Sequence, residues 1–315
     1  MSVPGERALR VGTLADRNML TGPLERRRAL LGRVRASGLD HVFVADHISF
    51  FTGFGMDGLI QAATVAALEP ELMIEIGVYL LALRHPVPVA RQIASLCESA
   101  PGRLVLGIGV GGEDRHEIEI CGVDPATRGA RTDECLETLR KLLTGESVSH
   151  HGAFIRFEDA RIRPAPDPRV PIVVGGRSDA AIRRAAKLSD GWLGVWCSPA
   201  RYAQVVAQIG AESAGRAVPL PTAWDHGLQV WVGLDPERAR ARERLAKTME
   251  SMYRTPFERF ERYCPFGSAA EIADFLAPYV AAGCRHFNVM AVSASSEQTI
   301  AGVAEIRARL TTGAS

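Results

Sequence analysis

PIVVGGRSDAAIRRAAKLSDGW, residues 171–192, holds one whole step of a parallel α/β fold. It opens on an apolar run of the kind found in strands buried on both faces. It then turns at GGRS, carries the helical period over 179–188 and enters a second apolar run at Gly191. The same alternation recurs outward in both directions. Strands are expected at 8–14, 41–45, 73–80, 103–110, 171–175, 191–196, 227–233 and 286–292, and helical periodicity occupies 24–37, 88–99, 131–143, 179–188, 236–249 and 268–282. Helix caps are expected at Ser178 or Asp179, Ser198, Asp235 and Ser268, the last with Glu271 completing a capping box. Eight βα steps predict one α/β domain over 1–315, a (β/α)8 TIM barrel. Two stretches break the rhythm as insertions. Residues 147–168 alternate around Gly152 and end in prolines, which predicts a hairpin and then a loop. Residues 251–266 place Tyr253, Phe257, Phe260, Tyr263 and Phe266 at spacings of three and four, which predicts a helix with an aromatic face. That face either packs on the barrel or a neighbouring subunit, or forms a lid.

Composition narrows the function. The 315 residues are 47% hydrophobic and 23% charged, ordinary for a chain with a buried core. Lys plus Arg (37) nearly cancels Asp plus Glu (36), so no overall field recruits nucleic acid or an anionic membrane, and a small-molecule partner is expected. Six scattered cysteines without a Cys-x-x-Cys pair signal neither a zinc site nor a disulfide framework. No apolar run approaches membrane-spanning length and the N-terminus has no signal-like core, so a cytoplasmic protein is expected.

In a barrel of this class the chemistry sits just past the strand ends. Asp46-His47 follows the second strand, where an imidazole can exchange protons near neutral pH; a helix cap with a surface histidine is the plainer alternative. GIGVGG, 107–112, follows the fourth. It matches the dinucleotide pattern G-x-G-x-x-G, but in the fourth unit, with the acids about 20 residues on inside a helix, so the Rossmann reading is set aside. Gly109 and Gly111 either admit a flat ring against the backbone or relieve crowding inside the barrel. Gly175-Gly176-Arg177-Ser178 follows the fifth strand, and a glycine turn, a guanidinium, a hydroxyl and free helix N–H groups make an anion site. Trp196 ends the sixth strand as core or as a pocket wall. The first strand ends in Thr13-Leu14-Ala15-Asp16 without a His-x-His pair, which disfavours a metal-dependent hydrolase, and no metal site is expected.

Five blocks in order resemble the bacterial luciferase-like monooxygenase superfamily and, within it, the F420-dependent oxidoreductases. They are VFVADH (42–47), RHPVPVARQIASL (84–96), GRLVLGIGVGG (102–112), RGARTDECLETLRKL (128–142) and the opening stretch. The resemblance implies a luciferase-like barrel that binds the deazaflavin F420, or FMN in the alternative, and moves a hydride between the cofactor and an organic substrate. A catalytically silent flavin-binding barrel is a third reading. It also implies Asp46 and His47 beside the reactive edge of the ring, with His47 in proton transfer and Asp46 helping to position the site by orienting the imidazole or touching the ring. A non-prolyl cis peptide at Gly77-Val78 would lie beneath the ring, the cofactor phosphate would lie at Gly175, Gly176, Arg177 and Ser178, and the chain would be a homodimer. The block at 84–86 receives no catalytic role. EDRH at 113–116 departs from the substrate-binding residues of the best-known members, which leaves the substrate open.

Overall fold

A computed structural model describes residues 5–51 and 53–312. Its centre is a closed barrel of eight parallel strands: β1 (Arg10–Leu14), β2 (His41–Val44), β3 (Met73–Tyr79), β4 (Leu104–Ile108), β5 (Ile172–Gly175), β6 (Gly191–Val195), β7 (Gly227–Leu234) and β8 (His286–Val292). Each strand pairs with its neighbour in sequence, and β8 returns to β1. All eight expected strands are present, trimmed by a residue or two at some ends. The longest register runs from Gly227↔His286 to Gly233↔Val292. Helices α1 (Leu24–Ala36), α2 (Gly58–Leu68), α3 (Pro86–Ser99), α4 (Arg128–Leu142), α5 (Asp179–Leu188), α6 (Pro199–Glu212), α7 (Arg238–Tyr253), α8 (Ala269–Ala281) and α9 (Ser296–Thr312) surround it. Their inward residues, such as Ile93, Leu139, Ile182 and Val303, are buried against the outer faces of the strands. Much of the core's apolar burial lies in this layer.

The caps at Ser178, Ser198 and Ser268 form, the last as a complete capping box with Glu271. Asp235 does not cap a helix. Its Oδ1 accepts from the Glu237 N–H, the helix starts at Arg238, and Arg240 and Arg244 bind the same carboxylate. Residues 148–160 form the expected hairpin, Val148–His151 against Arg156–Ala160. The aromatic stretch is not one helix. The chain leaves α7 at Arg254 in the left-handed region (φ 50°) and continues as two 3-10 turns, Phe257–Arg259 and Glu261–Tyr263. Pro256, which lacks an N–H and disfavours helix in the residue before it, accounts for the break.

Inside the barrel the apolar pattern is interrupted by a chain of polar groups. Arg10 bonds Asp225, Asp225 and Glu75 flank the His286 ring at 3.0 and 3.3 Å, and Asn288 joins Glu75 to His41. Burial works against a charged His286, but the two carboxylates raise its pKa to about 9. His41, with no carboxylate on its ring, is pushed down by burial to about 4.

Candidate active site

The barrel positions the site by ending its strands at one mouth. After β2 the chain does not pass directly to a helix. It folds into a small antiparallel pair, His47–Phe50 with Phe54–Met56. Asp46 stands between strand and pair. Its side chain is buried, and its oxygens accept from both Arg84 Nη atoms at 2.8 Å and from the Gly58 and Leu80 N–H groups at 2.9 Å. Burial pushes this carboxyl above the usual carboxylate range, and Arg84 and the two N–H groups offset that only in part. All four partners donate, so the arrangement fits the ionised form. None of them is His47, which corrects the expectation that Asp46 orients the imidazole.

The group that meets His47 is Glu117, from the short helix Arg115–Glu119 after β4. His47 Nδ1 lies 3.0 Å from Glu117 Oε2 and 3.3 Å from Oε1, and Oε1 also accepts from the Ile48 and Ser49 N–H groups at 2.6 and 3.0 Å. Burial would raise this carboxyl, but His47 and those N–H groups hold it below the usual carboxylate range. Asp114 grips the same pair by accepting from the Phe51 N–H. The imidazole stacks on Phe50 with centroids 4.1 Å apart. Sequence reading missed Glu117, because no local pattern ties it to His47, 70 residues away.

A cavity of about 230 Å³ opens at this mouth. Asp46, His47, Gly77, Val78, Gly109, Gly111, Gly175, Gly176 and Trp196 line it, together with Tyr253 of the aromatic stretch and with Gln229 and Trp231, which sequence reading did not select. The Gly77–Val78 peptide is cis, where the resemblance places it. Two of the glycines here leave room for Val78: a Cβ at Gly175 would sit 2.8 Å from Val78 Cγ1, and one at Gly109 would overlap Val78 Cγ2. For Gly109 this is the relief of crowding that one of its two readings expected.

Trp196 follows β6 directly at φ 46°, a left-handed conformation that costs a non-glycine residue about 1–2 kcal/mol. Tyr253 and Phe260 pack on its indole at centroid distances of 5.3 and 4.8 Å. It divides the inner cavity from an outer chamber of about 570 Å³ that also borders Phe51, Glu113, Arg177 and Arg259. The aromatic stretch after α7 therefore roofs the mouth. Arg177 is exposed, with its guanidinium 5.6 Å from the Trp196 ring centroid. Ser178 Oγ accepts from the Ala181 N–H as the expected cap of α5.

A larger cavity of about 760 Å³ lies at the other end of the barrel, beside Asp190 at the entry to β6. Arg140 and Arg169 both bind Asp190 there, and none of the strand-end residues above reaches it. Among the described residues no group of three or more His, Cys, Asp or Glu is placed to hold a metal ion, and no helix is long and apolar enough to cross a membrane.

Comparison with known proteins agrees with this geometry. An uncharacterized protein of Mycobacterium tuberculosis is 35% identical over 166 residues, 52% of this chain and 57% of that protein. An F420-dependent glucose-6-phosphate dehydrogenase of Nakamurella multipartita is 30% identical over 214 residues, 65% of this chain and 62% of that enzyme. The chain thus spans about three fifths of the length of these relatives. Among solved structures, an F420-dependent secondary alcohol dehydrogenase in complex with an F420–acetone adduct superposes with a TM-score of 0.80 at 20% identity, covering 96% of this chain and 99% of that one, and so shares its fold. The luciferase-like monooxygenase family matches residues 10–279, most of the barrel and its mouth, and the chain belongs to that family.

Proposed function

We propose that the protein is an F420-dependent oxidoreductase that transfers a hydride between the deazaflavin and an organic substrate at the mouth of the barrel. The observation that carries this reading is His47, backed by Glu117, on the wall of a cavity that Val78 also lines, in a chain similar to F420-dependent dehydrogenases. The cavity suits a ring with an amide-like edge. Two polar atoms on its lining residues, Trp196 Nε1 and Gln229 Oε1, are buried without a partner, one a donor and the other an acceptor. A buried polar atom left unpaired costs about 1–3 kcal/mol, so a ligand offering both an acceptor and a donor gains from meeting them. Val78, Trp196 and Gln229 would hold the ring, and the N-terminus of α5 with Arg177 would hold the phosphate.

When bound, the cofactor supplies the hydride chemistry. The chain supplies a water-poor apolar pocket, a fixed ring face over Val78, and His47 as proton donor or acceptor. Mass action makes the test direct: titrate the purified protein with F420 and with FMN side by side. F420 is expected to bind at least about tenfold more tightly, a difference of about 1.4 kcal/mol. Equal or tighter binding of FMN would favour an FMN-dependent monooxygenase, monooxygenase being the activity in the family's description. Tight F420 binding without hydride transfer to or from any alcohol, aldehyde, ketone or enone tried would favour a silent cofactor-binding barrel.

A further inference from the structure

Glu117 has been given no task of its own beside His47, yet its surroundings constrain it closely. Its side chain is 4% exposed, and three groups converge on it. Two are peptide N–H groups, of Ile48 and Ser49, which can only donate. The third is His47 Nδ1. An ionised carboxylate offers only acceptor sites, so the nitrogen facing it must also carry a hydrogen. The other candidates for orienting the ring do not compete. Phe50 stacks on its face and tolerates either tautomer, and Asp46 is committed to Arg84, Gly58 and Leu80. His47 Nε2 makes no hydrogen bond with a described protein group, and the ring lines the cavity.

We propose that Glu117 is a positioning residue that holds His47 in the Nδ1–H tautomer and so makes Nε2 the atom through which protons pass. In the neutral ring Nε2 is then a bare acceptor. A proton taken there gives an imidazolium with one hydrogen on each nitrogen, the inner one facing the charge of Glu117. The buried carboxylate thus does two things: it fixes which nitrogen meets the substrate, and it stabilises the charged ring that proton uptake creates. The role in turnover rests on the oxidoreductase reading, whereas the tautomer is a property of the chain without any cofactor.

The test separates the two. Nitrogen-15 labelling of histidine and two-bond N–H correlation NMR on the cofactor-free protein assign the hydrogen of His47 directly, with His47→Asn identifying its signals. The expected pattern is Nδ1–H. Glu117→Gln keeps the shape of the side chain, and the Ile48 and Ser49 N–H groups hold its oxygen, leaving its NH2 towards His47. Because an NH2 donates, the ring is expected to invert to Nε2–H. With F420 and a turned-over substrate, the same variant is expected to lose about 10²–10⁴ in kcat while KM and F420 affinity change by no more than a few fold. Glu117→Asp, which keeps the charge, is expected to retain the Nδ1–H pattern and recover part of the rate.

A wild-type His47 in the Nε2–H form or a mixture of both tautomers overturns the proposal, as does a Glu117→Gln variant that keeps the wild-type pattern. If Glu117→Gln does not fold, the wild-type spectrum alone decides. A correct tautomer in a protein that shows no F420 turnover leaves the positioning intact and defeats the functional reading instead.

Discussion

The buried chain inside the barrel predicts an unusual dependence of stability on pH. His286 sits between Glu75 and Asp225 with its side chain wholly buried, and its pKa is held at about 9. In the unfolded chain it returns to about 6.5. Between these values the native state keeps a proton that the unfolded state has released, so stability present below pH 6.5 is lost as pH rises towards 9. At about 1.4 kcal/mol per pH unit the loss approaches about 3 kcal/mol. His41 and His226 act in the opposite sense, since burial holds both near 4. Below pH 6.5 the unfolded chain binds protons that these two refuse, so stability falls again towards acid. The sum is a maximum near pH 6.5. Urea unfolding at half-unit steps from pH 5 to 7.5 measures it; the upper limit stays about one unit below the pKa of unfolded thiols, near 8.5, whose ionisation burial also disfavours in Cys97, Cys135 and Cys264. A stability that is flat or still rising between pH 6.5 and 7.5 would refute a charged His286.

Three further outcomes are expected. Gly109→Ala forces a Cβ onto Val78 and is expected to cost about 1–3 kcal/mol and weaken cofactor binding; combined with Val78→Ala the losses should be less than additive in urea unfolding, and strict additivity would deny the contact. Asp46→Asn leaves Arg84 facing a neutral amide, and is expected to cost near the lower end of about 3–5 kcal/mol because Asp57 still pairs with Arg84; thermal unfolding checks this, and His47 should keep its tautomer. Arg177→Ala removes a guanidinium with no hydrogen bond or ion pair to any described residue, so stability should stay within about 0.5 kcal/mol while F420 affinity falls and becomes less sensitive to salt. Unchanged affinity would place the cofactor's anionic group elsewhere.

The fold was legible because barrel strands carry their signal locally. Ile172–Gly175 and Gly191–Val195 are short apolar runs separated by a capped amphipathic helix, and burial on both faces leaves no other use for such runs. Local signals misled where one residue decides a boundary. Pro256 ends α7's run, although aromatic spacing on both sides of it keeps the helical period. Asp235 stands at a plausible cap position, but with arginines at 240 and 244 its carboxylate is drawn to the flank of α7 rather than to its first N–H groups.

The site was legible only in part, and the division has a physical cause. Asp46, His47, Gly109, Gly175 and Trp196 follow directly from strand ends, because a closed barrel brings all its strand ends to one mouth whatever the loops do. What those residues do there depends on partners supplied by other loops. Asp46 and His47 are adjacent in sequence, and adjacency suggested that one serves the other. On leaving an extended strand, however, successive side chains point to opposite sides. Asp46 turns inward to Arg84, and His47 turns to the cavity wall, where a carboxylate 70 residues further on meets it. Glu117 lies in a segment, GGEDRHEIE, whose acids look alike in sequence. Only the backbone tells them apart: Gly111 and Gly112, at φ 65° and 137°, turn the chain so that Asp114 and Glu117 both face the His47 pair. Glycines at this mouth thus leave room for Val78 and turn the chain that carries the carboxylate meeting His47.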